Sequence, residues 1–303
     1  MQLHERVLAC FQALATGDAI GKQTEMLSHG EVKRWYPAGI AGFEGPPGAA
    51  IPRYAGKRYE WRIGETTDDT EQALAVTRAL LRDGRADHTS IGRELLQCKK
   101  SLHPGVSLWT FVQIGDPARI AADGDGCGAA MRSAPIGVLY RTRRLDELVR
   151  AAYECAIPTH GGPIALGAAA AVAGAVSAAL EGRPVDEVLA VACEAGGVAM
   201  ARTIDEMMGV PVEELAERYF PDTPQTIVPL AIALALRTQS APETALLAAN
   251  IGGDADSVAS IGSAIAGALC PETVNRSWID VVSAINGDDF VNAAISLAAI
   301  ARR

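Results

Sequence analysis

The chain has 303 residues and a mass of 31.6 kDa, with 49% hydrophobic and 21% charged residues. That composition excludes a disordered or fibrous protein and supplies enough apolar material for a sizeable core. Thirty-six acids against 27 bases leave a formal charge of −9, the wrong sign for a scaffold that holds nucleic-acid phosphates.

In chain order, the N-terminal stretch MQLHERVLACFQALATGDAIG lacks the apolar run and small-residue cleavage site of a secretion signal. It reads as a helix that ends in GDAIGKQTE, where Asp18 is a polar residue near a helix end and Glu25 lies on a solvated face. Residues 37–66 are rich in Gly and Pro, too long for an ordinary connection. Trp35, Tyr36, Phe43, Tyr54, Tyr59 and Trp61 crowd in and around this segment. Disorder avoids aromatics, so the segment reads either as a lid with a ring available to stack on a planar ligand or as packing over the core.

Helical spacing then recurs over Glu71 to Leu81, Leu145 to Ala156, Asp186 to Met200, Val212 to Tyr219 and Phe290 to Ala301. Only Trp109 to Ile114 and Gly137 to Tyr140 look strand-like, and both are short enough to be helix fragments or loops. Ile164 to Leu180 is uncharged but short and built mostly of Ala and Gly, which predicts a buried helix and no membrane span. In SIGSAIAGAL, the small residues Gly262, Ser263, Ala266 and Gly267 recur at four-residue intervals and predict close helix packing. The expected class is all-α, in one domain over 1–303. Six scattered cysteines without a CxxC pair fit a reducing cytoplasm.

Four segments could carry chemistry. Thr67, Asp68 and Asp69 open a helix, and Asp68 with Glu71 forms a capping box. In NIGGDADSVAS two glycines turn the chain and Asp254, Asp256 and Ser257 open another helix. One Asp suffices for a cap, so the surplus carboxylate asks for a cation, and hard oxygen donors of this kind take Mg²⁺. Ala259 and Ile265 stand where an EF-hand needs Gly and Glu, so any ion site must be assembled from distant segments. In GDGCGAAMRSAPIG, glycines 124, 126 and 128 form either a plain turn or a phosphate seat. There is no GxGxxG fingerprint and no Walker sequence. His160 in PTHGGP reads as a satisfied loop histidine, and Asp116 and Asp125 as loop residues without a role.

Taken together, GDAIG followed by Glu25, TTDDT at 66–70, GCGAAMRSAPIG, His160 before an Ala helix and GGDADS resemble the ADP-ribosylglycohydrolase family over most of the chain. The resemblance implies an all-α orthogonal bundle whose cleft holds two Mg²⁺ ions, or Mn²⁺, together with ADP-ribose. It implies Thr67, Asp68, Asp69, Asp254, Asp256 and Ser257 as metal ligands, with Ser257 standing where the family usually has Thr. Glu25 matches an acidic residue on a mobile flap of some members, and Glu25, Asp68 and Asp256 are the implied acid–base groups. Gly126, Cys127, Gly128 and His160 are the implied substrate-binding residues. Cys127 replaces a frequent Asn, which leaves substrate identity open. Trp109 or a lid aromatic is expected on adenine. The implied activity is metal-dependent release of a ribosyl group from an ADP-ribosylated protein side chain or small ADP-ribosyl compound. The alternatives are another ribosylated nucleotide or nucleoside as substrate, or a non-catalytic ADP-ribose binder of crystallin type.

Overall fold

The computed structural model describes residues 2–45, 53–54, 57–58, 61–100 and 105–301. Its helices are α1 (Leu3–Gly21), α2 (His29–Trp35), α3 (Asp68–Asp83), α4 (His88–Leu95), α5 (Val106–Ile114), α6 (Gly128–Met131), α7 (Ala134–Leu139) and α8 (Leu145–Ala156). They continue as α9 (Pro163–Leu180), α10 (Val185–Met208), α11 (Val212–Arg218), α12 (Pro224–Thr238), α13 (Ala241–Ile251), α14 (Ala255–Leu269), α15 (Arg276–Asn286) and α16 (Asp289–Ala301). Among the described residues the only strands are the two-residue pair Arg53–Tyr54 and Lys57–Arg58, antiparallel, so the fold is all-α. Both strand-like stretches are helical: Trp109–Ile114 lies in α5, and Gly137–Leu139 closes α7. In runs this short, packing overrides the preference of β-branched residues for strands.

The Ala-rich α9 is the central helix. It is long and apolar enough to cross a membrane, but 83% of it is buried inside the protein, where α8, α10, α12 and α14 pack around it. Helix α10 runs on to Met208, past the predicted end, by breaking at Gly197, whose φ of 71° only glycine adopts freely.

The pairing that matters for the site is α1 on α14. A Cβ on Gly17 would stand 2.4 Å from the Ala259 carbonyl oxygen, and one on Gly21 would stand 2.3 Å from that of Ala255. Gly267 meets the Ala9 carbonyl in the same way at 2.8 Å. These helices therefore touch backbone to backbone. With Gly17 and Gly21 committed to α14, Asp18 is about 100° further round α1 and faces the start of α3 instead.

The described part of the Gly/Pro-rich segment packs on the core. Buried Gln23 accepts from the backbone N–H groups of Glu44 and Gly45 and donates to Gly42. Phe43 meets Trp278 edge to face at 5.9 Å, and Tyr36 donates to the Gly45 carbonyl. Tyr59 lies outside the described residues.

Candidate active site

Helix α3 opens one residue earlier than the capping box Asp68–Glu71 requires. The N-cap is Thr67, whose hydroxyl accepts the Asp69 N–H at 3.2 Å. Glu71 turns away and accepts the backbone N–H groups of Lys99 and Lys100. Because Thr67 does the capping, Asp68 and Asp69 are released from local backbone duty. Asp68 accepts from Gln72 one turn on, at 2.9 Å. Asp69 accepts from the Ser260 hydroxyl at 2.5 Å, which joins two segments almost two hundred residues apart.

Beneath this turn, Asp18 is fully buried. Its carboxylate accepts from the Thr67 N–H, the Thr70 N–H and the Thr70 hydroxyl. The expectation that it is merely a polar residue near a helix end is therefore corrected: it is the post on which the TTDDT turn is mounted.

At the start of α14, Asp254 occupies the N-cap position but closes no cap hydrogen bond. The two glycines before it are forced by geometry. Gly252 and Gly253 have φ of 86° and 67°, and their Cβ atoms would stand 2.3 Å from the Leu27 carbonyl and 2.5 Å from the Pro221 carbonyl. Backbone hydrogen bonds Met26 N–H to Gly253 and Gly253 N–H to Leu27, each 2.8 Å, clamp the Glu25 segment onto this turn. Gly253→Ala is expected to lose about 2 kcal/mol or more in urea unfolding, combining left-handed strain with crowding. Gly84→Ala, at φ 68° with open space around its Cβ position, should lose about 1–2 kcal/mol through strain alone. Equal losses would show that the crowding is absent.

Glu25 is not on a solvated face. Only 14% of its side chain is exposed, and it forms an ion pair with buried Lys22. Glu25, Asp68, Asp69, Asp254, Asp256 and Ser257 all line one cavity of about 360 Å³. Asp69 and Asp256 are pushed well above the usual carboxylate range, first by burial, and then by Asp18, Asp68 and Asp254 in the case of Asp69 and by Glu25, Asp254 and Asp69 in the case of Asp256. Burial raises Asp254 as well. Asp256 Oδ1 is buried with no hydrogen-bond partner among the described residues. Thr67 is not part of the cavity lining. Among the described residues no three His, Cys, Asp or Glu side chains form a ready-made ion cage. The acidic groups are assembled around one space and face one another across it.

The opposite wall is the glycine loop with His160. A Cβ on Gly126 would stand 2.9 Å from His160 Nε2, and one on Gly128 would stand 3.0 Å from Cε1. The loop is therefore glycine because the imidazole lies against it. Cys127, partly buried on the same wall, has its thiol pushed up by burial and then by Asp254 and Asp69, so it is a neutral, weak donor. A second hollow of about 380 Å³, with Arg119, Asp123 and Ser107 in its lining, shares Gly105, Gly126 and His160 with the first. Asp125 has a structural role: it accepts the N–H groups of Ile164 and Ala165 and caps α9. The Asp116 carboxylate accepts the N–H of Ala118 two residues on, a local turn contact.

Burial, and then the charges of Arg132 and Arg119, lowers His160 from 6.5 to about 3. The folded protein refuses a proton that the unfolded chain accepts, so the stability tied to His160 is complete above pH 6.5. It is lost as pH falls toward 3, by up to ~1.4 kcal/mol per unit. The stability difference between wild type and His160→Gln should therefore shift against wild type by roughly 2 kcal/mol from pH 7 to pH 4.5. A flat difference would mean that the ring titrates freely in the folded state.

Three contributors escaped the sequence reading. Ser260 was legible as the residue one turn beyond Asp256 on the same helix face. Phe220, 41% exposed on the cavity wall, is the aromatic that lines the cleft. Trp109 lies on α5 outside that lining, 54% exposed, and none of the described aromatics of the Gly/Pro segment lines it either. Arg132 is wholly buried; its place in GCGAAMRSAPIG was the available signal, but an arginine there gives no sign of burial. A larger hollow of about 1320 Å³ at the far end of α3 is lined by five arginines, but it gathers the C-terminal ends of α3, α7, α9 and α16. Arg141 there donates to the Ala301 carbonyl, and Arg183 pairs with Glu181, as helix-end neutralisation requires.

The ADP-ribosylglycohydrolase family profile matches residues 1–302. The chain belongs to the ADP-ribosylglycohydrolase family. It is 29% identical to the uncharacterized protein YegU of Escherichia coli (strain K12), over 97% of this chain and 96% of that protein. It is 26% identical to the ADP-ribosyl-[dinitrogen reductase] glycohydrolase of Rhodospirillum rubrum, over 88% of this chain and 86% of that one. A solved structure described as an ADP-ribosylglycohydrolase-related protein complex superposes with a TM-score of 0.77 at 27% identity, covering 99% of both chains. Family membership makes the chain a glycosidase-type hydrolase.

Proposed function

We propose that the chain cleaves the ribosyl C1 bond of ADP-ribosylated protein side chains or small ADP-ribosyl compounds, with Mg²⁺ held in the acidic cavity. The observation that carries the metal is Asp256 Oδ1, buried and unpartnered among Asp69, Asp254 and Glu25, whose charges all raise its pKa. A buried carboxylate left without a donor is expensive, and a cation is what relieves it. The donors are all carboxylates and hydroxyls, the set that suits Mg²⁺ or Mn²⁺ and suits softer metals poorly. Asp68, Asp69, Asp254, Asp256 and Ser257 would hold the ions. Thr67 would join them through a hydroxyl lone pair left over from capping.

Hydrolysis adds a water oxygen to C1 and sends the leaving nitrogen or oxygen away with a proton. Bound Mg²⁺ would supply the Lewis acidity that fixes the ribose hydroxyls and acidifies the water. Asp68 or Asp256 takes the proton of that water. Glu25, carried at the cavity edge by the clamp to Gly253, serves the leaving group as acid or base. The glycine loop and His160 hold the diphosphate side, and Phe220 offers a face for the base. Cys127, a thiol where an amide is usual, favours a second reading in which another ribosylated nucleotide or nucleoside is the substrate. All six cysteines are free, which suits a reducing, cytoplasmic setting, and the formal charge of −9 suits no nucleic-acid partner.

The test is release of ADP-ribose from ADP-ribosyl-arginine, ADP-ribosyl-serine and ribosylated small metabolites, measured by chromatography with Mg²⁺ and with EDTA. Metal-dependent release from at least one is expected. No release from the panel, alongside cleavage by the Rhodospirillum rubrum glycohydrolase, would overturn the reading.

A further inference from the structure

Arg132 is a guanidinium with no exposed surface whose described hydrogen bonds all go to neutral acceptors. Nε and Nη2 reach the Cys155 carbonyl at 3.3 and 3.0 Å, and Nη2 reaches that of Ala156 at 3.4 Å. Nη1 donates to Gln72 Oε1 at 2.8 Å, and Nη2 donates to Thr159 Oγ1 at 2.6 Å. The carbonyls at the end of α8 offset part of its charge. A buried cation answered by dipoles alone is still costly, and an apolar side chain of similar volume would fill the space more cheaply.

What an apolar side chain could not do is impose direction. Guanidinium donates and never accepts, so each group that touches Arg132 must turn an acceptor toward it. Gln72 must present its carbonyl oxygen, which sends its amide N–H groups to Asp68 Oδ2, 2.9 Å away. Thr159 must accept on Oγ1 and has one hydroxyl proton left to give. Its two takers are His160 Nδ1 at 2.6 Å and the Ala156 carbonyl at 3.3 Å. That carbonyl already receives the backbone N–H groups of His160 and Thr159. Donation along the shorter contact would make His160 Nδ1 the acceptor and leave the ring proton on Nε2, against Gly126.

We propose that Arg132 is a positioning residue which, through Thr159, fixes the His160 ring with Nδ1 as acceptor and Nε2 as donor, so that the cleft wall at Gly126 presents one fixed N–H to an acceptor oxygen of the ligand. Its other arm, through Gln72, keeps a donor on Asp68. The direction of every proton from Asp68 to His160 follows from one side chain. The assignment concerns the ligand-free protein and stands whether or not the hydrolase reading does; only the acceptor oxygen it would meet rests on that reading.

The experiment is ¹⁵N NMR of the histidine rings in the full-length, ligand-free protein, with His160 assigned from His160→Gln. The expected spectrum has the His160 proton on Nε2 and an unprotonated Nδ1. Thr159→Val removes the hydroxyl and should move the proton wholly or partly to Nδ1, while Thr159→Ser restores the Nε2 form. A wild-type ring protonated on Nδ1 overturns the proposal, as does a Thr159→Val ring unchanged from wild type. Should Thr159→Val fail to fold, wild type and Thr159→Ser must both carry the proton on Nε2 alone, and either one doing otherwise overturns it. Arg132→Met, an apolar side chain of similar volume, frees the Thr159 hydroxyl to turn and should let the ring take up the Nδ1-protonated form in part, while Arg132→Lys, which can only donate, should keep the Nε2 form. A ring unchanged in Arg132→Met would make Arg132 purely structural and overturn its part of the proposal.

Discussion

Asp256→Asn is expected to raise the melting temperature of the metal-free protein and to abolish the further rise that Mg²⁺ is expected to give wild type. The two effects have one cause. Asp256 is buried at the start of α14, its Oδ1 has no partner, and Glu25, Asp254 and Asp69 all push its pKa up while Lys22 lowers it. A carboxyl whose folded pKa lies above its ordinary 3.8 contributes stability that is complete below 3.8 and is lost as pH rises through the folded value. Metal-free wild type therefore weakens from acid toward neutral pH, and Asn, uncharged and of the same shape, flattens that fall. Mg²⁺ bound at the proposed site would reverse the sign for wild type by binding only the folded state, a gain of about 2.7 kcal/mol at one hundred times its dissociation constant. Loss of a direct ligand should reduce affinity by more than the ~10–100-fold that outer partners of a metal site are worth. Thermal denaturation from pH 5 to 8, in EDTA and in Mg²⁺, reads all of this. An Asn variant that is less stable than wild type in EDTA, yet still stabilised by Mg²⁺, would remove Asp256 from the metal site.

The fold class was legible because helical spacing persists along most of the chain, and the Ala-rich α9 could be placed in the core from its lack of charge. The strand-like readings of Trp109–Ile114 and Gly137–Tyr140 failed because windows of four to six residues do not separate a strand from a packed helix. The acidic clusters were legible as surplus: each had more carboxylate than a cap needs. Their meeting was not, because it depends on Gly17 and Gly21 drawing α1 against α14, and a sequence does not say which backbone a glycine admits. The capping box at Asp68 misled for a local reason. Thr67, one residue earlier, is an equally good cap, and its taking that role is what frees both aspartates. Arg132 lay inside the GCGAAMRSAPIG motif, but its burial was not legible, since an arginine in a sequence is by default a surface residue.

Asp18→Ala is expected to produce the largest loss of stability of any single change near the site. Asp18 is the acceptor for the Thr67 N–H, the Thr70 N–H and the Thr70 hydroxyl, all buried. Removing it leaves these donors without water or partner, at ~1–3 kcal/mol for each group stranded. Part is recovered because Asp18 itself is held above its ordinary range by burial, so the net loss should be about 3–5 kcal/mol, a large fraction of the 5–15 kcal/mol typical of a folded domain. Asp18→Asn separates support from charge. The amide keeps one acceptor oxygen and turns its NH₂ toward N–H donors, so the TTDDT turn shifts while the core stays filled. Its stability loss should be smaller than that of Ala, yet its Mg²⁺ affinity should fall ~10–100-fold, because Asp68 and Asp69 ride on the displaced turn. Urea unfolding in EDTA measures the first quantity and calorimetric titration with Mg²⁺ the second. Were Asp18→Asn to bind Mg²⁺ as wild type does while Asp18→Ala lost only stability, Asp18 would be a support of the fold with no bearing on the ions.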